Sequence, residues 1–174
     1  QALTGKHDEG TGVEVFAFMP WGAREKVKDL AKNDATLHPL SVDGSPSVSD
    51  VWIDSNTDTT DAKLASEWKT VLVTGMREGA EHYLALDMTD PSDANYPGYM
   101  WEFPLESDAY WRGWIGQTWS QPVITRIRLK RSTGDVEELW VAIFGFGYDA
   151  TSDPNDPALY NAGSTKGRRS EEHT

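Results

Sequence analysis

The chain has 174 residues, 11% of them aromatic with eight Trp, and a formal net charge of −12. That length and aromatic content allow one ordinary domain with a sizeable core and argue against disorder overall. The charge excludes nucleic-acid binding through a basic surface and argues equally against an anionic membrane face.

No apolar run approaches the length of a membrane span. Cysteine is absent, which removes disulfides, thiolate metal sites and a cysteine nucleophile but leaves the compartment open.

Thr4-Gly5 and Thr11-Gly12 carry turn chemistry, and Val13 to Phe18 alternates in the manner of a strand. Ala23 to Lys32 is the one stretch with helical spacing, through Val27, Leu30 and Ala31, and it is too short to stand alone. A strand is predicted over Val42 to Val51, entered through the turn Asp43-Gly44. Trp52 to Ser66 is rich in Asp, Thr and Ser and reads as a surface loop. Trp68 to Thr74 is a nearly continuous apolar run, expected as a strand buried on both faces. A reversal follows over Met76 to Glu81, flanked by Gly75 and containing Gly79. His82 to Met88 returns as a strand, and after the turn-rich Thr89 to Gly98 a fourth strand covers Tyr99 to Phe103. Leu105 to Thr118 links onward.

The next unit repeats the first. Ser45-Pro46-Ser47-Val48-Ser49-Asp50-Val51 and Lys69 to Gly75 have counterparts in Gln121-Pro122-Val123-Ile124-Thr125-Arg126-Ile127 and Leu139 to Gly145. Pro46 to Pro122 is 76 positions and Gly75 to Gly145 is 70, the difference lying in the polar inserts between the halves. Recurrence at this period marks a repeat architecture. The predicted fold is all-β: part of a β-propeller, with one complete four-stranded antiparallel blade over 42–104, a last strand of a preceding blade over 1–20, and an incomplete next blade over 119–168. The helix lies in an inter-blade connection. With most of a ring lying outside it, the chain alone is expected to turn Trp101, Trp119 and Trp140 toward water and to associate through open faces. Gln1 reveals no targeting signal. Arg169 to Thr174 matches what one frame of a common sequencing-adapter oligonucleotide would encode. Residues 169–174 are therefore expected to be an artefact, with the natural protein continuing beyond Arg168.

Several stretches invite a chemical reading. Asp54, Asn56 and Asp58 place oxygens at positions 1, 3 and 5 of a calcium loop, but Thr59 stands where glycine is needed and Ala65 where a bidentate Glu is needed. Asp149, Asp153, Asn155 and Asp156 form a second acidic loop, punctuated by Pro154 and Pro157. In both, a solvated loop is the plainer reading. His7, His38 and His82 are isolated, and His82 is expected to be a satisfied structural histidine. Tyr110-Trp111-Arg112-Gly113-Trp114 with Trp119 is the densest aromatic cluster, suited to inter-blade packing and, secondarily, to a carbohydrate or protein docking surface. No nucleophile elbow, phosphate loop or Ser/His/Asp constellation occurs, so no catalytic residue is assigned.

The ordered set Val42-Asp43-Gly44-Ser45-Pro46, Trp68 to Gly75, Tyr83 to Pro91, Met100-Trp101-Glu102-Phe103, Ser120 to Ile124 and Trp140 to Tyr148 resembles the C-terminal propeller of PilY-type proteins, which are bacterial type IV pilus biogenesis factors and pilus-tip adhesins. The resemblance covers most of residues 13–150. It implies an exported, non-enzymatic module at the outer membrane or pilus tip. Pilins or minor pilins and host or surface ligands would be its partners. It also implies calcium regulation through an Asp-rich loop, expected downstream of this stretch, and no cofactor within it. Two other readings share the fold: a quinone-dependent dehydrogenase and a non-catalytic outer-membrane assembly scaffold. The first needs a catalytic Asp, calcium ligands and quinone-stacking groups spread around the ring, and none can be identified here.

Overall fold

In the computed structural model, residues 14–32, 39–54 and 63–148 are described. Strands β1 (Ser47–Trp52), β2 (Trp68–Gly75), β3 (Tyr83–Asp87) and β4 (Gly98–Phe103) form one antiparallel sheet in the order β1-β2-β3-β4. Strands β5 (Val123–Lys130) and β6 (Val136–Ile143) form a separate hairpin. Helix α1 (Arg24–Leu30) follows a single 3-10 turn at Trp21–Ala23.

The sequence repeat is also a repeat of register. Ser47, one residue after Pro46, pairs with Val73, two before Gly75. Val123, one residue after Pro122, pairs with Ile143, two before Gly145. The two units also touch at their entrances, where Ser47 Oγ donates to the Pro122 carbonyl at 2.5 Å.

Pairing fixes which side chains share a face. Val51, Val71, Val73, Tyr83, Ala85 and Trp101 project from one side of the four-stranded sheet. Val51, Val71, Val73 and Ala85 are buried there against Ile124, Trp140 and Ala142 of the hairpin. The hairpin is thus stacked face-on against the sheet. On the sheet's opposite side Leu84 and Leu86 join Met76 in a second cluster, covered in part by Phe18 and Met88. The apolar run of β2 is explained by these two contacts: Val71 and Val73 serve the first core, and Thr74 and Gly75 are buried as well.

Several expectations need correction. The alternating segment after Val13 forms no strand over residues 14–20. Alternation specifies which side chains turn inward, but a strand also needs a backbone partner. Here contact is made by side chains alone, with Phe16 edge-on to Tyr96 at 5.3 Å and Phe18 stacked on Tyr99 at 6.4 Å. Strand β1 begins at Ser47 rather than Val42; residues 39–46 have no ladder, and Pro46 has no N–H to give one. The insert expected between Ile127 and Leu139 is mostly strand. Arg126 and Arg128 reach across to Glu138, each at 3.2 Å, so charged side chains support the pairing instead of looping out. The hydrogen bond from Arg128, with the nearby Arg126 charge, holds the Glu138 carboxyl below its ordinary range. A second helix, α2 (Ala109–Arg112), occupies the linker; Asp108 Oδ1 caps it by accepting from Trp111 N at 3.1 Å. Trp101 and Trp140 do not face water openly but are half-buried between the sheets, whereas Trp119 is 44% exposed.

The reversal between β2 and β3 also differs. Its left-handed residue is Arg77, at φ 49°, and not either glycine. Gly75 is needed for close approach: a Cβ there would lie 2.6 Å from the Thr118 carbonyl and 2.9 Å from the Tyr83 ring. Its repeat equivalent, Gly145, meets only Ser120 Oγ at 3.4 Å, an ordinary contact. Gly75→Ala is therefore expected to cost about 1–3 kcal/mol by overpacking, while Gly145→Ala changes stability by less than about 0.5 kcal/mol. Urea midpoints of the two variants check this; equal losses would show that the crowding at Thr118 is not the cause.

The outer face of the hairpin is apolar and uncovered by the described residues. Val123, Ile127, Leu129 and Ile143 are 57%, 36%, 40% and 54% exposed, on the side away from Trp140. A patch of this kind drives association. The double variant Ile127→Glu/Ile143→Glu is expected to shift the isolated chain toward monomer in analytical ultracentrifugation. An unchanged distribution would place the association elsewhere.

Candidate functional site

Of the acidic candidates, Asp54 is described, while Asn56, Asp58, Asp149, Asp153, Asn155 and Asp156 lie outside the described residues. No three His, Cys, Asp or Glu side chains converge as a metal site among the described residues. The acidic turn after β3 illustrates why. Asp87, Asp90 and Asp93 each accept a backbone N–H two residues on, from Thr89, Ser92 and Asn95 at 2.9, 2.9 and 2.8 Å. These carboxylates cap their own turns and do not converge on a shared point. The described residues therefore do not fit a calcium ion.

The aromatic stretch divides between packing and exposure. Trp111 leans on Phe103 and Phe146 at 6.0 and 5.5 Å, closing the end of the seam between sheet and hairpin. Tyr110 meets Trp111 edge-on at 5.0 Å yet is 58% exposed. Trp119 lies under the Arg77 guanidinium at 4.6 Å.

Thr118, which no sequence signal singled out, ties this linker to the reversal. It is 1% exposed. Its Oγ1 accepts from Met76 N at 2.7 Å and donates to the His82 carbonyl at 3.0 Å. Gln117 pairs in turn with Tyr148. One short segment therefore bridges the first unit and the end of the second.

His82 is buried as expected, at 7% exposure, but it is not satisfied: neither ring nitrogen has a hydrogen-bond partner among the described residues. Its ring stands edge-on to Trp21 at 4.9 Å. Burial, with the nearby Arg112 charge, lowers its pKa from 6.5 to about 4, so the ring is neutral at pH 7. Trp21 is flanked by two guanidinium groups, Arg24 at 5.2 Å and Arg112 at 5.3 Å from its ring. Its backbone N–H donates to Glu102 Oε1 at 2.8 Å. These residues come from the 3-10 turn and the start of α1, the end of the reversal, β4 and α2, segments far apart in sequence.

A four-stranded meander stacked face-on against a hairpin that repeats its register defines a segment of a β-propeller of successive antiparallel blades. No family model matches the chain. A type IV pilus biogenesis factor PilY1 homolog of Xylella fastidiosa is 32% identical over 141 residues, which are 81% of this chain and 8% of that protein. The type IV pilus biogenesis factor PilY1 of Pseudomonas aeruginosa strain UCBPP-PA14 is 30% identical over 145 residues, 82% of this chain and 10% of that protein. The crystal structure of the Pseudomonas aeruginosa PilY1 C-terminal domain is 26% identical, with a TM-score of 0.48 over 82% of this chain and 23% of that one. The chain thus spans about a tenth of the length of the curated relatives it matches. The sequence matches show that it belongs to the PilY-type family.

Proposed function

We propose that this chain is a structural module of a type IV pilus biogenesis factor, exported to the bacterial surface, that supports pilus assembly and attachment through protein contacts and not through catalysis. The observation that carries this reading is the 32% identity to a PilY1 homolog sustained over 81% of the chain. The relatives are named as pilus biogenesis factors. No helix among the described residues is long and apolar enough to cross a membrane. Pilins or minor pilins are the partners proposed, with host or surface ligands for attachment. Residues 42–104 are taken as a complete blade and 119–168 as the start of the next, with residues 1–20 contributed by the preceding one. Calcium regulation, if this protein shares it, is assigned to a loop beyond this stretch.

The test is genetic. The full-length gene carrying this chain is deleted from its host and restored either intact or without residues 42–148. Surface pili recovered by shearing, and attachment to a solid surface, are expected to disappear on deletion and to return only with the intact gene. Normal piliation in the deletion strain would overturn the reading. So would full rescue by the shortened gene, provided immunoblotting shows both products exported at equal level.

A further inference from the structure

Beneath α1 lies a cavity of about 460 Å³, within the size range of small-molecule sites. Four cationic side chains, Arg24, Lys26, Lys28 and Arg112, line it together with two carboxylates, Glu81 and Glu106. A local excess of positive charge is a departure in a chain whose net charge is −12. Two of the cations donate to neutral acceptors: Lys26 Nζ to the Glu78 carbonyl at 3.1 Å and Arg112 Nη1 to the Glu106 carbonyl at 3.1 Å. Arg24 is paired with Glu106 at 3.5 Å.

Behind the charged rim the wall is aromatic. His82 lines the cavity, is 7% exposed and has no partner for either ring nitrogen. Trp21 also lines it, and its indole N–H is buried without a partner. Stacking on Trp21 orients the Arg24 and Arg112 guanidiniums, whose planar forks suit an oxyanion.

We infer that the cavity between α1, the β2–β3 reversal and α2 binds an oxyanion, a carboxylate or phosphate group held by Arg112 and its neighbouring cations Arg24, Lys26 and Lys28. The ligand is either a free small anion or an acidic side chain of a partner polypeptide. Both present the same group, and the inference stands whether or not the pilus reading does.

The test titrates the 174-residue chain with inorganic phosphate, with citrate, and separately with a short poly-glutamate peptide. Tryptophan fluorescence and the His82 ring resonances in NMR report on the site. Saturable binding is expected with a Kd of about 1 mM or tighter for at least one probe. A preference for the free anions assigns the site to a small ligand, and a preference for the peptide assigns it to a partner. Arg112→Gln and Lys28→Gln are each expected to weaken binding about tenfold. Lys28 is exposed, so its variant tests charge without disturbing the core. Non-saturating signals that follow ionic strength alone, or equal affinity in wild type and in Lys28→Gln and Arg112→Gln chains that melt normally, would overturn the inference.

Discussion

Tyr83→Ala is expected to destabilise the chain by about 3–5 kcal/mol, the range for removing a fully buried aromatic side chain. Tyr83 is 0% exposed. Its ring stacks on Phe144 at 3.9 Å, with 22° between the planes. Its hydroxyl lies 2.8 Å from Ser120 Oγ and 3.0 Å from the Gly145 carbonyl, which it meets as donor. Ser120 Oγ accepts in turn from Gly145 N at 2.7 Å. One side chain on β3 therefore holds together the segment entering β5 and the segment leaving β6. The loss should fall on the docking of hairpin to sheet as well as on the sheet itself. Tyr83→Phe keeps the ring and strands the polar groups, so it is expected to cost about 1–3 kcal/mol. Urea denaturation followed by tryptophan fluorescence measures both. In Tyr83→Ala, hydrogen exchange should be accelerated in β5 and β6 more than in β1 and β2. A loss confined to the four-stranded sheet would mean that the hairpin docks without this residue.

Acidification is expected to remove about 2 kcal/mol between pH 7 and pH 5 through His82 alone. The folded pKa of about 4 lies below the ordinary 6.5, so the unfolded chain takes up this proton first as pH falls. The stabilisation from keeping the ring neutral is present above about pH 6.5 and is lost progressively toward pH 4. Trp21, Arg112, Glu81 and Glu106 surround the same cavity. The comparison is made between pH 7 and 5, the interval over which the imidazole of the unfolded chain takes up its proton. His82→Gln should flatten the slope of stability against pH over that interval. A slope equal to that of the wild type would assign the acid sensitivity to other groups.

The same two residues show what could be read in advance and what could not. That His82 to Met88 forms a strand follows from its apolar run and the flanking glycines, and β3 lies within those bounds. That Tyr83 would reach across to Ser120 and Gly145 has no local signature, because a hydroxyl's partner depends on where another sheet settles. His82 is similar. Its isolation in sequence suggested a satisfied structural residue, but only the approach of the 3-10 turn and α2 creates a buried ring beside Arg112 with no partner. Thr118 gave no signal at all, since one threonine in a linker is a surface residue by default.

The sequence alone determined the repeat, because pairing register is carried by the short-range pattern from Pro to Gly and is preserved when the insert length changes. It also determined the four-strand meander, since alternation and turn residues act over a few positions, and the ordered motifs that identified the family. Only the tertiary structure decided which faces meet. Val13 to Phe18 has strand patterning, yet residues 14–20 find no ladder partner and contribute aromatic contacts instead. Arg128 and Glu138 lie in the polar insert and look like loop residues, yet they pair across a hairpin. Three segments far apart in sequence converge on one basic cavity. In each case the deciding energy is a contact between residues distant in the chain, which no local pattern encodes.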